Sequence, residues 1–158
     1  YPVCRWSGSL GPKLLEGDSQ APEGFYTVDA KALNPNSRFH RSFNLGFPNV
    51  FDRAHNRTGS FVMVHGGCAS IGCFAMTDPL IEEIYLVVEA ALKSDTARVP
   101  VHSFPFRMTA ERLQKAEAEK SPHLEFWRSL QAAYDQFEST RTVPRIGLAD
   151  GRYVLRER

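Results

Sequence analysis

The sequence predicts an α+β fold, because its first half has the pattern of short strands and its second half has the pattern of helices. Three early stretches concentrate β-branched and aromatic residues between loops rich in Gly, Pro, Asn and Asp, namely 24–28 (GFYTV), 39–45 (FHRSFNL) and 61–65 (FVMVH). After residue 78, apolar residues recur three and four positions apart, which is the period of an amphipathic helix. We therefore expect a β-rich core to which helices are added late in the chain.

The first of these helices is expected from Asp78 to about Lys93. Asp78 can cap its start, and Pro79 suits the first helical position because the missing N–H of proline has no partner there in any helix. One broad apolar stripe should face the core; it contains Leu80, Ile81, Ile84, Tyr85, Val87, Val88, Ala91 and Leu92.

The remaining elements follow in order along the chain. A strand with prolines near its edges is expected over 97–106, and Thr109 can cap a short charged helix that ends at about Lys120. Another helix follows, which should dock through Trp127, Leu130, Tyr134 and Phe137. The sequence IGLADGRYVL after Pro144 predicts a hairpin that turns at its Asp-Gly pair.

Composition limits the class of protein. The chain has 158 residues, of which 42% are hydrophobic and 23% charged, and its prolines and glycines are dispersed, so we expect one domain over 1–158. The formal net charge of +1 disfavours a nucleic-acid partner, because binding the phosphate backbone requires excess positive charge. No run of about 18 apolar residues is present to predict a transmembrane segment in this chain.

The stretch VHGGCASIGCFAMTD, residues 64–78, concentrates the chemistry-bearing residues and allows three interpretations. Zinc binding needs His65, Cys68 and Cys73 to meet a fourth ligand, and no second close-spaced ligand pair is present, so no metal is expected. A disulfide can join Cys4 to Cys68 and leave Cys73 free, a pairing that sequence alone does not test.

The third interpretation is nucleophilic catalysis by Cys73 with His65 as its base. A free thiol is mostly protonated at neutral pH, so a neighbouring imidazole is needed to take the proton and create the reactive thiolate. Gly66, Gly67 and Gly72 permit tight turns and the close approach of a substrate. The amides around Gly72 and Cys73 can then donate to the oxyanion that forms when the thiolate attacks a carbonyl.

Several polar residues outside this stretch are weaker candidates. Arg107 can bind a substrate carboxylate, although a lone arginine is more often an ion-paired or solvated surface group. Asn44 and Arg53, like His40 and His55, lie in or beside loops that can line a cleft. For most of them, fixing a loop conformation is an equally good interpretation.

The arrangement of His65-Gly66, Ser70, Gly72 and Cys73, which reads HG…SxGC, resembles the active-site motif of the YkuD-type L,D-transpeptidases. The resemblance is nearer to the YafK-like branch of these bacterial enzymes, which act on peptidoglycan. It extends through 11–28, 33–49, 51–60 and 99–109, and the later segment FWRSLQAAYDQFE continues it.

The resemblance implies a β-rich L,D-transpeptidase-like barrel or sandwich core with added C-terminal helices. It also implies that Cys73 attacks a tetrapeptide stem at the L-centre of meso-diaminopimelate and that a thioester is then passed to an amine. His65 would be the general base, the carbonyl of Gly66 would orient its ring, and Ser70 would shape the turn. Carbapenem-type β-lactams would acylate the enzyme, its site of action would be the periplasm or cell envelope, and no cofactor would be needed.

The sequence also departs from the family pattern. Ile71 and Ala75 stand where many members have a histidine and an arginine, so Arg53 or Arg107 would have to bind an acidic group of the substrate, with Asn44 and Gly67 as further binding candidates. Members usually begin with one or two strands before the segment that matches Tyr1 to Pro12, so the chain is expected to lack them. Two other functions stay open: a hydrolase of the same bond, which would release a wall-linked lipoprotein or trim stem peptides, and a non-catalytic cell-wall-binding module.

Overall fold

The computed structural model describes residues 1–94 and 96–156, and the chain divides into two compact units, Tyr1–His102 and Ser103–Arg158. The helices and strands together confirm the α+β class. The expectation of one domain over 1–158 stays a prediction.

The first unit contains most of the strands. In chain order its elements are β1 (Gly24–Val28), β2 (Leu33–Asn34), β3 (Ser42–Asn44), α1 (Val50–Ala54), β4 (Met63–His65), β5 (Phe74–Ala75), α2 (Asp78–Lys93) and β6 (Val99–Ser103), the last of which ends at the boundary. Strands β2, β3, β4 and β5 form a four-stranded sheet in that order, and β1 pairs with β6. Within the described residues no sheet closes on itself, so a barrel core is not supported.

Two predicted strands are shorter than expected, and in both the backbone gives the reason. His40 has a φ of 69° and Phe61 a φ of 51°, values in the left-handed region that a strand does not contain. The strand expected over 39–45 therefore narrows to β3, and the strand expected over 61–65 begins at Met63.

The core of the first unit lies between helix α2 and one face of the four-stranded sheet. Phe43 and Val64 from the sheet pack in one apolar cluster with Ile81, Tyr85 and Val88 from the helix. Side chains alternate between the two faces along a strand, so the residues next to Phe43 and Val64 project to the opposite face. The apolar stripe predicted for α2 is too broad, because it includes Val87, which is 62% exposed and does not face the core.

The second unit consists of α3 (Ala110–Ala118), α4 (Leu124–Thr140) and the hairpin β7 (Ile146–Ala149) and β8 (Arg152–Leu155). Thr109 caps α3 as predicted, since its side chain accepts a hydrogen bond from the Arg112 N–H. The hairpin also turns at the predicted pair. On α4, Trp127 and Leu130 are buried as expected, whereas Phe137 is 39% exposed.

Candidate active site

The parallel pairing of β4 with β5 brings His65 and Cys73 to one face of the sheet. Val64 pairs with Phe74 and His65 with Ala75, and extending this register by one residue places Cys73 beside Met63. The Met63 N–H donates a hydrogen bond to Cys73 Sγ, with a nitrogen to sulfur distance of 3.4 Å. Because alternate residues share a face, Cys73 and His65 lie on the side opposite the α2 core.

Cys73 is the free thiol of the three cysteines, and it is partly exposed. Cys4 and Cys68 form a disulfide with a Cα–Cα distance of 5.5 Å, which realises the pairing that sequence left open. The disulfide removes Cys68 as a zinc ligand. Within the described residues no cluster of three or more His, Cys, Asp or Glu side chains is arranged to hold a metal ion.

His65 is buried, with 3% of its surface exposed, and its ring is fixed on two sides. Nδ1 lies 2.6 Å from the carbonyl oxygen of Gly66, the contact that the resemblance implies. A carbonyl can only accept, so Nδ1 carries a proton, and in the neutral ring it is Nε2 that has the lone pair a base needs. The Phe39 ring packs against the imidazole at a centroid distance of 4.7 Å.

The loop that follows His65 is attached to the start of α2. The Gly67 N–H donates to Asp78 Oδ1 at 2.8 Å, and the Gly66 N–H donates to the Phe39 carbonyl at 2.9 Å. A methyl group added at Gly66 would come within 2.6 Å of that same Asp78 oxygen, so the position has no room for a side chain. Asp78 was expected to cap its own helix; instead Thr77 holds the N-cap position, and the Asp78 carboxylate accepts from the loop.

Ser70 organises the turn before the thiol. Its hydroxyl donates to the Cys73 carbonyl at 2.6 Å and accepts from the Gly72 N–H at 3.1 Å. Gly72 has a φ of 132° and therefore adopts a backbone conformation that other residues rarely reach. Since the Gly72 amide already donates to Ser70, the Cys73 amide, which donates to no group in residues 1–94 and 96–156, is the better placed of the two expected oxyanion donors.

Comparison with known proteins identifies the family to which this arrangement belongs. Residues 3–102, which nearly coincide with the first unit, match the model of the YkuD family, the L,D-transpeptidase catalytic domain. The chain belongs to the YkuD L,D-transpeptidase family.

Two relatives from Escherichia coli agree with this assignment. The chain is 44% identical over 155 residues to the protein named "Putative L,D-transpeptidase YafK" in Escherichia coli K12 and in Escherichia coli O157:H7. That match covers 98% of the chain but 62% of each relative, so the chain spans less than two thirds of their length. Among solved structures it is similar to the helical cell shape determining protein Pgp2 from Campylobacter jejuni, with a TM-score of 0.48 and 18% identity over 92% of this chain and 62% of that one.

The weaker candidate residues occupy different parts of this YkuD-family chain. Asn44 pairs with Met63 in the sheet, and its side-chain oxygen accepts from the Gly46 N–H. The Arg53 guanidinium on α1 donates to the Pro48 carbonyl. Arg107 belongs to the second unit and stays a prediction.

Two residues beside the motif were not found from the sequence. Arg5 forms an isolated antiparallel bridge with Ala75, so its exposed side chain lies at the edge of the sheet and on the face of Ala75 and Cys73. Ser42 pairs with His65, and its buried hydroxyl has no hydrogen-bond partner within the described ranges. No local pattern signals either residue, because each contact joins segments that are far apart in the chain.

Within the described residues, no helix has the length and apolar character needed to cross a membrane.

Proposed function

We propose that the chain is the catalytic domain of a peptidoglycan-modifying cysteine L,D-transpeptidase, in which Cys73 is the nucleophile, His65 the general base and Gly66 the residue that orients the base. The observation that carries the proposal is the pair of contacts at the site. Met63 N–H donates to Cys73 Sγ, and Nδ1 of His65 meets the Gly66 carbonyl on the same sheet face. A partly exposed thiol on the same sheet face as a histidine with a set tautomer suits nucleophilic catalysis, in which the imidazole takes the proton of the thiol.

The reaction begins with transfer of the Cys73 proton to Nε2 of His65. The thiolate attacks the carbonyl carbon at the L-centre of meso-diaminopimelate in a tetrapeptide stem, so a C–S bond forms and the oxygen becomes negative. The N–H of Cys73 stabilises this oxyanion. As the tetrahedral intermediate collapses, the C–N bond breaks, the D-alanine nitrogen takes the proton from His65, and a thioester remains on Sγ.

The second half of the reaction decides between a transferase and a hydrolase. An amine acceptor that loses its proton to His65 attacks the thioester, and the thiol is restored with a new amide bond. If water enters instead, the products are a free carboxylate and a shortened stem peptide. We propose the transferase; release of a wall-linked lipoprotein or trimming of stems is the hydrolytic alternative.

Arg5 is our proposal for the group that binds an acidic part of the substrate. Ala75 occupies the position of the family arginine, and Arg5 bridges to Ala75 from the neighbouring segment. Opposed residues on adjacent strands have Cβ atoms about 5 Å apart, so the guanidinium of Arg5 can reach a carboxylate bound near Cys73. Arg53 and Arg107 stay second candidates.

The proposed substrate indicates where in the cell the enzyme acts. Peptidoglycan stem peptides lie outside the cytoplasmic membrane, so we propose the periplasm or cell envelope as the location, and carbapenem-type β-lactams as compounds that acylate Cys73.

The test is incubation of the chain with a purified tetrapeptide-stem muropeptide and an amine acceptor, followed by mass spectrometry of the products and of the intact protein. We expect a cross-linked or exchanged product, loss of D-alanine and a covalent adduct on Cys73. Cys73→Ala should lower the rate at least about a thousandfold, because the covalent route is removed.

Each other outcome identifies an alternative. Tripeptide stems without exchanged product would show a hydrolase. Full activity of Cys73→Ala would overturn the nucleophile assignment. Binding of the muropeptide without any product or adduct would favour the wall-binding module over an enzyme.

A further inference from the structure

Phe61 has a backbone conformation that is unusual for an aromatic residue. Its φ of 51° lies in the left-handed region, where glycine is unstrained and a bulky side chain is not. Both neighbours in the chain are held: Val62 is buried with 3% exposure, its carbonyl accepts from the Leu45 N–H, and the Ser60 hydroxyl donates to Glu16. The surrounding structure therefore imposes the conformation.

The strain is not compensated by burial of the ring. Phe61 is 76% exposed, whereas an aromatic side chain ordinarily contributes to stability by leaving water. Glycine at this position would relieve the strain at little loss of packing. An aromatic residue that costs stability without packing the core points to a role outside the fold, and such outliers are concentrated at functional sites.

Phe61 also lies beside the nucleophile. Cys73 Sγ is 3.8 Å from the Phe61 carbonyl oxygen, and the next contact along the chain is the Met63 N–H at 3.4 Å from the same sulfur. An acyl group bonded to Sγ therefore starts within a few ångström of the Phe61 backbone, and the ring that this backbone carries is exposed rather than packed in the core.

We propose that Phe61 is a substrate-positioning residue whose ring packs against the saturated hydrocarbon chain of the residue that acylates Cys73. The proposal rests on the proposed function and adds the apolar contact that holds the acyl donor at the thiol. The ligand chemistry is aliphatic, because the residue proposed to acylate Cys73, meso-diaminopimelate, has a saturated side chain that can pack on the apolar face of the ring. The contact belongs to substrate binding, so its loss should raise KM more than it lowers kcat.

The experiment compares Phe61→Gly and Phe61→Leu with the parent chain, using a tetrapeptide-stem muropeptide as substrate and iodoacetamide as a small thiol reagent. Phe61→Gly should raise KM for the muropeptide about tenfold, the effect of losing one good apolar contact, with kcat changed less than about twofold. Its rate of Cys73 alkylation by iodoacetamide should be unchanged, because that reagent needs no docking. Phe61→Leu should keep KM within about threefold of the parent, since it retains an apolar side chain.

Stability supplies an independent readout. Phe61→Gly should keep or raise the thermal midpoint, by up to about 4 °C, because it relieves the left-handed strain. Lys120→Gly is the matched control for strain, since Lys120 has a φ of 52° in the second unit, and it should leave KM unchanged. Val87→Ala is the control for an exposed apolar side chain and should also leave KM unchanged.

Three results would overturn the inference. One is an unchanged KM in Phe61→Gly, and another is a parallel loss of iodoacetamide alkylation, which would show that Phe61 only shapes the thiol. If the parent chain alkylates normally but neither turns over the muropeptide nor forms an adduct, the proposed function fails and this inference fails with it. The first of these results, obtained with an active parent, refutes only this inference and leaves the proposed function standing.

Discussion

At the scale of single residues, backbone groups orient the two side chains that are proposed to react. The Gly66 carbonyl sets the tautomer of His65, and the Met63 N–H holds Cys73 Sγ at 3.4 Å. In the proposed mechanism, the Gly66 carbonyl takes the place of the carboxylate found in a common catalytic triad.

Arg5 provides the first prediction at this scale. Arg5→Gln should raise KM for a tetrapeptide-stem muropeptide about five- to tenfold, because a charged contact to a substrate carboxylate is lost, while kcat changes little. Steady-state kinetics with varied muropeptide measures both constants. Arg152→Gln makes the same change of charge on β8 and should leave KM unchanged. An equal rise of KM in both variants would contradict a specific role for Arg5.

Gly66 provides the second prediction at this scale. Gly66→Ala should lower the free energy of unfolding by about 1–3 kcal/mol, because the added methyl overlaps Asp78 Oδ1 and the Phe39 carbonyl oxygen. It should also lower turnover, since the carbonyl that orients His65 is displaced. Chemical denaturation and the muropeptide assay measure the two effects. Gly17→Ala is the control, because its added methyl meets no atom within 4 Å and its only cost is backbone strain at a positive φ, so it should keep full activity. If Gly66→Ala also keeps full activity, the packing argument is wrong.

At the scale of elements, helix α2 and the disulfide together hold the loop that carries the motif. The start of α2 accepts from Gly67 through Asp78, and Cys68 is bonded to Cys4 in the segment that pairs with β5. The Cys68 N–H also donates to the Met76 carbonyl. The loop between His65 and Cys73 is therefore attached at both sides, which limits its motion around the thiol.

Asp78 tests the attachment to the helix. Asp78→Ala should cost about 1–2 kcal/mol of stability, through the lost acceptor and the lost charge at the helix start, and should lower turnover. Asp78→Asn keeps an oxygen acceptor for the Gly67 N–H and should lose less of both. Thermal unfolding and the muropeptide assay on the two variants check this; equal losses would show that the charge alone matters.

The disulfide tests the other attachment. Replacing both Cys4 and Cys68 with alanine should lower the free energy of unfolding by about 2–4 kcal/mol, because a closed loop with a sequence separation of 64 no longer restricts the unfolded chain. Denaturant titration measures the loss. A reductant should produce a similar loss in the parent and none in the double variant; a parent that is insensitive to complete reduction would contradict the prediction.

At the scale of the whole molecule, the first unit contains the matched family range, and the second unit has its own buried residues. Trp127 in the second unit packs against the Phe106 ring at a centroid distance of 5.1 Å, and α4 contacts both α3 and β8. In the first unit, His102 packs edge-on against Phe25 at 4.8 Å. Stability and its dependence on pH belong to this scale, because every ionisable group contributes to them.

His102 gives a prediction for pH. Burial lowers the pKa of His102 below its usual value of 6.5. Below pH of about 6.5 the unfolded chain therefore binds a proton that the folded chain resists, so this residue contributes a loss of stability as pH falls from 7 to 5 and none above that range. His102→Gln should flatten the decline of the thermal midpoint over this interval. Identical slopes in the parent and the variant would contradict the prediction.

Local sequence was sufficient for elements whose signals lie within a few residues. Thr109 caps α3, the Asp150–Gly151 pair turns the last hairpin, and Pro79 stands in the first turn of α2, because capping and turn geometry depend on adjacent residues. The spacing of His65, Ser70 and Cys73 led to the candidate site, whose catalytic roles stay a proposal. The short strand β5 and the left-handed residues His40 and Phe61 were missed, since neighbours distant in the chain impose them.

The sequence by itself determined the α+β class and the family resemblance, and it supplied the proposed nucleophile and base, because composition, period and motif spacing are local properties. Only the tertiary structure decided that Cys4 pairs with Cys68, that Asp78 binds the loop rather than capping its helix, that Arg5 bridges to Ala75 and that the Phe61 carbonyl lies near Cys73 Sγ. Those contacts join segments up to 70 residues apart, as Arg5 and Ala75 show, and no periodicity encodes them. They arise when β4 and β5 pair and the α2 face of the sheet is buried, since that packing determines which distant groups surround Cys73.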